Sequence, residues 1–248
     1  MYSSAQQYRM LIKWNACTTD WFRRASEYTG FHKKLSGILL SKMEGAKTVC
    51  DLGCGAGMID FYLAERLEQV TCVDRVPEVI QLLKDEIIEK SAGNMQAFCE
   101  DMNSLDGIWD TCIMLFVGTA TENIGKYLSL CKDKLLIVDR GGCRESLQYG
   151  EKVRTYHSLL PMINDFLNSG IRCNMTDYTL EYGQPLTSLK EAYQYVSYYH
   201  KNPRNISISE YIKRNIVRTA DIKYPYYLPY QKTFGIVEIR KQDNLHLL

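Results

Sequence analysis

Between residues 47 and 139 the chain switches repeatedly between two hydrophobic patterns. Short apolar, β-type runs at residues 48–52, 70–74, 95–100, 111–116 and 135–139, each bounded by Gly, Asp, Asn or Pro, predict strands. Helical spacing fills the gaps. In EVIQLLKDEIIEK, after Pro77, Val79, Ile80, Leu83 and Ile87 share one face, and the proline opens the helix where its missing N–H costs little. Strand, helix, strand in repetition, with continuously apolar strands, predicts a parallel sheet covered on both faces.

Two regions depart from that rhythm. The first 45 residues carry helical spacing, with Phe31, Leu35, Ile38 and Leu39 forming an apolar face suited to packing on the sheet. Near the other end, residues 172–180 and 232–240 read as an antiparallel strand pair separated by some 50 residues. Within that gap Ser188 with Glu191 and Ser207 with Glu210 are Ser-x-x-Glu capping boxes. One opens an amphipathic segment with Leu189, Ala192, Tyr193 and Val196, the other a segment with Ile208, Tyr211, Ile212 and Ile216. The expected fold is α/β: a doubly wound, mostly parallel seven-stranded sheet with a C-terminal antiparallel strand. Its expected parts are an N-terminal helical cap (1–46), a Rossmann-like core (47–185), a helical insertion (186–230) and the last core strand with a tail (231–248).

The chemistry concentrates in TVCDLGCGAGMIDFYLA, residues 48–64. A strand ending at Leu52, then Gly53, Gly55 and Gly57, then a helix, forms a turn that lets a ligand approach bare backbone at a helix N-terminus. By itself such a turn is also what a tight connection needing positive φ looks like. Asp74 ends the next strand, where a carboxylate can accept from both hydroxyls of a ribose. Asp51 lies inside the cleft. It would repel a pyrophosphate and attract an ammonium or sulfonium, worth roughly 4 kcal/mol at ~4 Å in an effective dielectric near 20, before desolvation.

Here the sequence resembles the class I S-adenosylmethionine-dependent methyltransferases, whose first motif, D-x-G-x-G-x-G, is matched by Asp51-Leu52-Gly53-Cys54-Gly55-Ala56-Gly57. The resemblance covers residues 47–140 with specific motifs and the remainder as fold order. It implies S-adenosylmethionine as cofactor, S-adenosylhomocysteine as product, and a cofactor site in which Asp51, Gly53, Cys54, Gly55 and Gly57 hold the methionine moiety. Asp74 would hold the ribose, Arg75 border the adenine, Asp101 and Met102 of CEDMNSL clamp it, and Phe116 stand beside the transferring methyl. Phe116 reads equally well as a core aromatic, and Cys54 as a small residue tolerated in the turn, with no neighbouring ligands for a metal.

Displacement at a sulfonium needs alignment more than proton transfer, so a general base is optional. Tyr28 and His32 are the candidates, with His157 and His200 behind them; a lone His is more often simply packed. An amino-methylating enzyme of nucleic acids would carry an Asn/Asp-Pro-Pro-Tyr/Phe signature after the fourth strand, and LFVGTATENIG lacks it. The insertion, rich in tyrosine and carrying Lys201, Arg204, Lys213, Arg214 and Arg218, could line a pocket for a planar or anionic acceptor, pack as a structural cover, or serve as a homodimer contact.

Composition narrows the partners. Lys plus Arg number 30 against 29 Asp plus Glu, so the net field gives no reason to expect a polyanion. Nine cysteines without a C-x-x-C pair suit a reducing, cytoplasmic setting. The longest apolar run, residues 112–117, is far short of a membrane span. The expected activity is methyl transfer to a small-molecule acceptor, with no nucleic-acid or membrane partner. The alternatives are a catalytically silent S-adenosylmethionine binder and, less favoured, an NAD-dependent oxidoreductase.

Overall fold

The structure, a computed structural model, describes residues 16–117, 121–141, 144–148, 151–155, 159–199 and 206–248. Cys143, His157, His200, Lys201, Arg204 and the first 15 residues lie outside them. Two helices come first, α1 (Ala16–Thr29) and α2 (Phe31–Lys42). Strands and helices then alternate through β1 (Thr48–Leu52), α3 (Asp60–Ala64), β2 (Gln69–Asp74), α4 (Pro77–Glu89), β3 (Met95–Cys99), β4 (Trp109–Leu115), α5 (Ile124–Ser129) and β5 (Cys131–Arg140). A hairpin of β6 (Arg144–Gln148) and β7 (Glu151–Thr155) and a helix α6 (Leu159–Asn168) lead to β8 (Asn174–Glu181). There follow β9 (Gln184–Leu186), α7 (Leu189–Tyr199), α8 (Ile208–Asn215), β10 (Val217–Arg218), β11 (Tyr226–Leu228) and β12 (Gln231–Arg240).

Seven strands form one sheet in the order β3-β2-β1-β4-β5-β12-β8. β1 to β5 are parallel, and β12 runs antiparallel to both neighbours. The expected mixed sheet is therefore present, with each strand within a few residues of its sequence-based limits. The order reverses between β1 and β4, which opens a crevice at the carboxyl ends of those strands.

Each face of the sheet has its own core. On one side α2 buries Phe31, Leu35 and Leu39 completely, together with Val49, Leu63, Ile80, Leu83 and Phe234. On the other, Leu52, Met114, Tyr127, Leu135 and Phe166 meet. Each such side chain contributes roughly 1.5–3 kcal/mol relative to exposure. α4 buries Val79, Ile80 and Leu83 as its spacing requires, while Ile87 is only partly covered.

The insertion folds around a third cluster, Leu186, Ala192, Val196, Tyr211, Ile212 and Leu228. Its helices start where the capping serines predict: Ser188 Oγ accepts from the Glu191 N–H at 3.1 Å, and Ser207 Oγ from the Glu210 N–H at 3.1 Å. The glutamates do not complete the boxes. The Glu191 carboxylate accepts from the Thr187 N–H, the Trp21 indole at 3.0 Å and the Arg24 guanidinium, and Glu210 pairs with Arg214. Glu191 thus clamps α7 onto α1, where Trp21 also meets the rings of Tyr195, Tyr198 and Tyr199. A small antiparallel sheet, β10-β11-β9, and the β6–β7 hairpin were not foreseen.

Candidate active site

The glycine turn sits at the mouth of the crevice, fixed from several sides. The Gly53 and Cys54 N–H groups donate to the Val73 carbonyl at 2.7 and 3.0 Å. Gly53, Gly55 and Gly57 have φ of 85°, 55° and 65°, the region that side chains rarely adopt. A Cβ on Gly53 would lie 2.5 Å from Val117, and one on Gly57 2.5 Å from Leu83. Gly55 differs: nothing stands within 4 Å of its missing Cβ. The outer two glycines permit close packing, and the middle one leaves open space over bare backbone.

Acids surround that space. Asp74 Oδ2 accepts from the Gly55 N–H at 3.0 Å and Oδ1 from the Val76 N–H at 3.0 Å, so the end of β2 holds the turn. An ionised carboxylate keeps further lone pairs for a ligand's hydroxyls. Asp51, 1% exposed, has Oδ1 without a hydrogen-bond partner, and Asp60, fully buried at the start of α3, has both oxygens unpartnered. Burial and then the nearby Asp60 charge push the Asp51 carboxyl well above its usual range. Burial pushes Asp60 up to about 7, although contacts with Asp51, Cys72 and its own backbone pull the other way. An orphaned buried carboxylate oxygen beside a cradle left open at Gly55 fits a cationic amino-acid end and would repel a pyrophosphate.

The remaining candidates separate. Arg75 and Asp101 are exposed. Asp101 Oδ1 accepts from the Asn103 N–H and side-chain amide at 2.8 and 2.9 Å, while Met102 packs partly onto the second core cluster. Tyr28 and His32 do not share a helix, because Gly30 at φ 65° ends α1 and starts α2. Tyr28 is 40% exposed and lies against Tyr224 and Tyr227 of the insertion. His32 is buried, with Nδ1 2.6 Å from Ser26 Oγ and its ring among Phe22, Phe31 and Tyr182. Burial and then the Lys232 charge lower its pKa to about 3.

Phe116 follows β4 with φ 56°, its N–H donating to the Val138 carbonyl at 2.7 Å. Strain of this kind in a non-glycine residue costs roughly 1–3 kcal/mol and collects at working sites. Its ring centre lies 3.5 Å from Lys232 Nζ, and those of Phe31 and Tyr182 lie 5.0 Å from the same nitrogen. Tyr182 Oη is buried without a hydrogen-bond partner. This aromatic cluster around Lys232 adjoins the turn, since the residue after Phe116 is the Val117 that packs on Gly53.

Asp60, Tyr182 and Lys232 were missed in the sequence. Asp60 lies one turn before Leu63 on the inward face of its helix, and Lys232 alternates with inward Phe234 and Ile236. A charge at a core-facing position was the available signal in both cases.

Residues 49–134 match the family model described as a methyltransferase domain. No curated protein matches the chain. Among solved structures it is similar to the YcgJ protein of Bacillus subtilis, with a TM-score of 0.52 and 15% identity over 84% of this chain and 98% of that one. It is also similar to a protein of Bacillus halodurans C-125 described as a putative methyltransferase, with a TM-score of 0.50 and 13% identity over 86% and 99%. At such identities the likeness speaks for the fold alone; the matched segment, which contains the motif from Asp51 to Gly57, is an S-adenosylmethionine-dependent methyltransferase domain.

Proposed function

We propose that this protein transfers the methyl group of S-adenosylmethionine to a small, planar acceptor bearing a negative charge, seated against Phe116, Tyr182 and Lys232 beside the glycine turn. The observation that carries the reading is the Lys232 ammonium held at 3.5 Å from the Phe116 ring, beside the glycine turn. Aromatic walls favour a flat ligand, and a partly desolvated cation favours an anionic one. Tyr182 Oη, an orphaned hydroxyl, supplies a second polar contact.

In this reading Asp51 and the turn from Gly53 to Gly57 hold the cofactor's methionine end, Asp74 its ribose, and Asp101, Met102 and Arg75 border its adenine. The sulfonium supplies an already activated methyl. The chain's own residues then align and electrostatically prepare the nucleophile. At a pKa of about 3, His32 stays neutral and is too weak a base to draw a proton from a phenol. Lys232 takes over that task by stabilising the nucleophile in its anionic form, as a neighbouring opposite charge does. The insertion supports this site indirectly, by bracing α1 through Glu191 and Arg24. A cytoplasmic setting agrees with Cys50, Cys72, Cys112 and Cys131 packed in the core as free thiols.

The test uses methyl-labelled S-adenosylmethionine with salicylate, 4-hydroxybenzoate and benzoate against neutral benzamide. Transfer to an anionic member is expected, and Lys232→Met should lower kcat/KM by about tenfold or more, as for one lost charge-assisted contact, with S-adenosylhomocysteine affinity nearly unchanged. Cofactor binding with no transfer to any of them would favour a silent binder.

A further inference from the structure

Two carboxyls are buried beside the glycine turn, one just before it and one just after. Asp51 and Asp60 are 1% and 0% exposed, and three of their four oxygens have no hydrogen-bond partner. The ionisable groups acting on them are Cys54 of the turn and Cys72 and Asp74 of β2. α2 and β3, which also pack against α3, bring apolar members of the same cluster, Leu35, Leu39, Met95 and Ala97. No basic side chain among the described residues pairs with either acid. Two carboxylates offer acceptors and no donor, so a hydrogen bond between them exists only when one of them is protonated. Like charges that close, out of water, do not both ionise.

We propose that Asp60 is a second acid of the cofactor site: it shares one proton with Asp51 in the free protein, and the pair releases that proton to solvent when the cofactor's cationic methionine end binds beside Asp51. The inference rests on the cofactor reading given above. Asp60 acts through Asp51 and is a positioning residue. Without the proton the pair is a doubly charged buried site, which calls for a cation to compensate it; with it, the pair carries a single negative charge spread over one shared hydrogen bond. Proton and ligand cation therefore exclude one another, and cofactor affinity falls as pH drops through the titration of the pair, a macroscopic property of both groups.

Calorimetric titration with S-adenosylhomocysteine, in buffers of differing ionisation enthalpy, counts the protons. With burial raising both carboxyls, Asp60 to about 7 and Asp51 well above its usual range, proton release should be found at pH 6 and should decline as pH rises through the titration of the pair. Affinity should tighten over the same range by up to about tenfold per pH unit for each proton released. Asp60→Asn, close to isosteric, removes the like charge but leaves Asp51 buried, so it should release clearly less proton per ligand and bind with a shallower pH dependence. Infrared difference spectra add a second readout: a protonated carboxyl band present in the free protein should vanish on ligand addition and be weaker in Asp60→Asn. Binding without proton release, or equal release by the variant, overturns the inference and leaves the cofactor reading standing. No binding at any pH overturns both.

Discussion

At Gly55 the reason for a glycine is different from that at its neighbours. Gly53 and Gly57 are held by what a Cβ would strike, Val117 and Leu83, whereas Gly55 faces open space and is constrained only by its φ of 55°. Gly55→Ala should therefore cost roughly 1–2 kcal/mol of stability, the penalty of a left-handed alanine, yet weaken S-adenosylhomocysteine binding by about tenfold or more, because the new methyl enters the cradle. Gly53→Ala should lose more stability, since Val117 must move as well. Urea unfolding and calorimetry on the two variants check the contrast; equal effects on binding and folding would remove the distinction. The residues that could be read in the sequence were those in a fixed motif: Asp51, the glycines and Asp74 do meet at one crevice. Asp60 and Lys232 escaped because each lies in a stretch whose local pattern is correct for its element. The one cue was a single charge at a position whose period faces the core.

The same limit operates on whole elements. Strands β1, β2, β4 and β5 were legible because burial on both faces leaves continuous apolar runs, the half-exposed edge strand β3 because it is short and bounded by turn residues, and α7 and α8 because serine caps mark their starts. β9, β10 and β11 have three, two and three residues, too few for any period to register, and only pairing partners define them. The fate of the Glu191 carboxylate was also hidden, because its partners Trp21 and Arg24 are some 170 residues away in the chain. Burial raises the Glu191 pKa, but the Arg24 guanidinium, Thr187 and the Trp21 indole outweigh it and hold the value at about 2 against an ordinary 4.5. A depressed carboxylate contributes stability that is complete above its unfolded pKa and disappears as pH falls through its folded one. Glu191→Gln should accordingly lower the unfolding free energy by on the order of 2–3 kcal/mol at pH 7, with the difference shrinking between pH 4.5 and 2. Denaturant unfolding across that range measures it. A constant difference at all pH values would assign Glu191 a purely steric role.

For the molecule as a whole, the cofactor should also be a stabiliser, since the turn proposed to hold it ties β1, β2 and α4 together. Saturation at about 100 times Kd adds about 2.7 kcal/mol, which for a chain of this length raises Tm by roughly 5–10 °C. S-adenosylhomocysteine should produce that shift, and NAD at the same concentration should leave Tm unchanged, because Asp51 and Asp60 repel its pyrophosphate. An equal shift with NAD would contradict the charge argument. The placement of β12 bears on how such a molecule is made. It is the last of the seven strands in chain order, yet it lies inside the sheet between β5 and β8. While the chain is still being synthesised, β5 presents a ten-residue open edge, and the inward Phe234, Ile236, Val237 and Ile239 are not yet there to cover either core. Unpaired edges and exposed apolar surface are what aggregation and chaperones act upon. Until β12 is made, the sheet is half finished, and its own late strand completes it by inserting between β5 and β8.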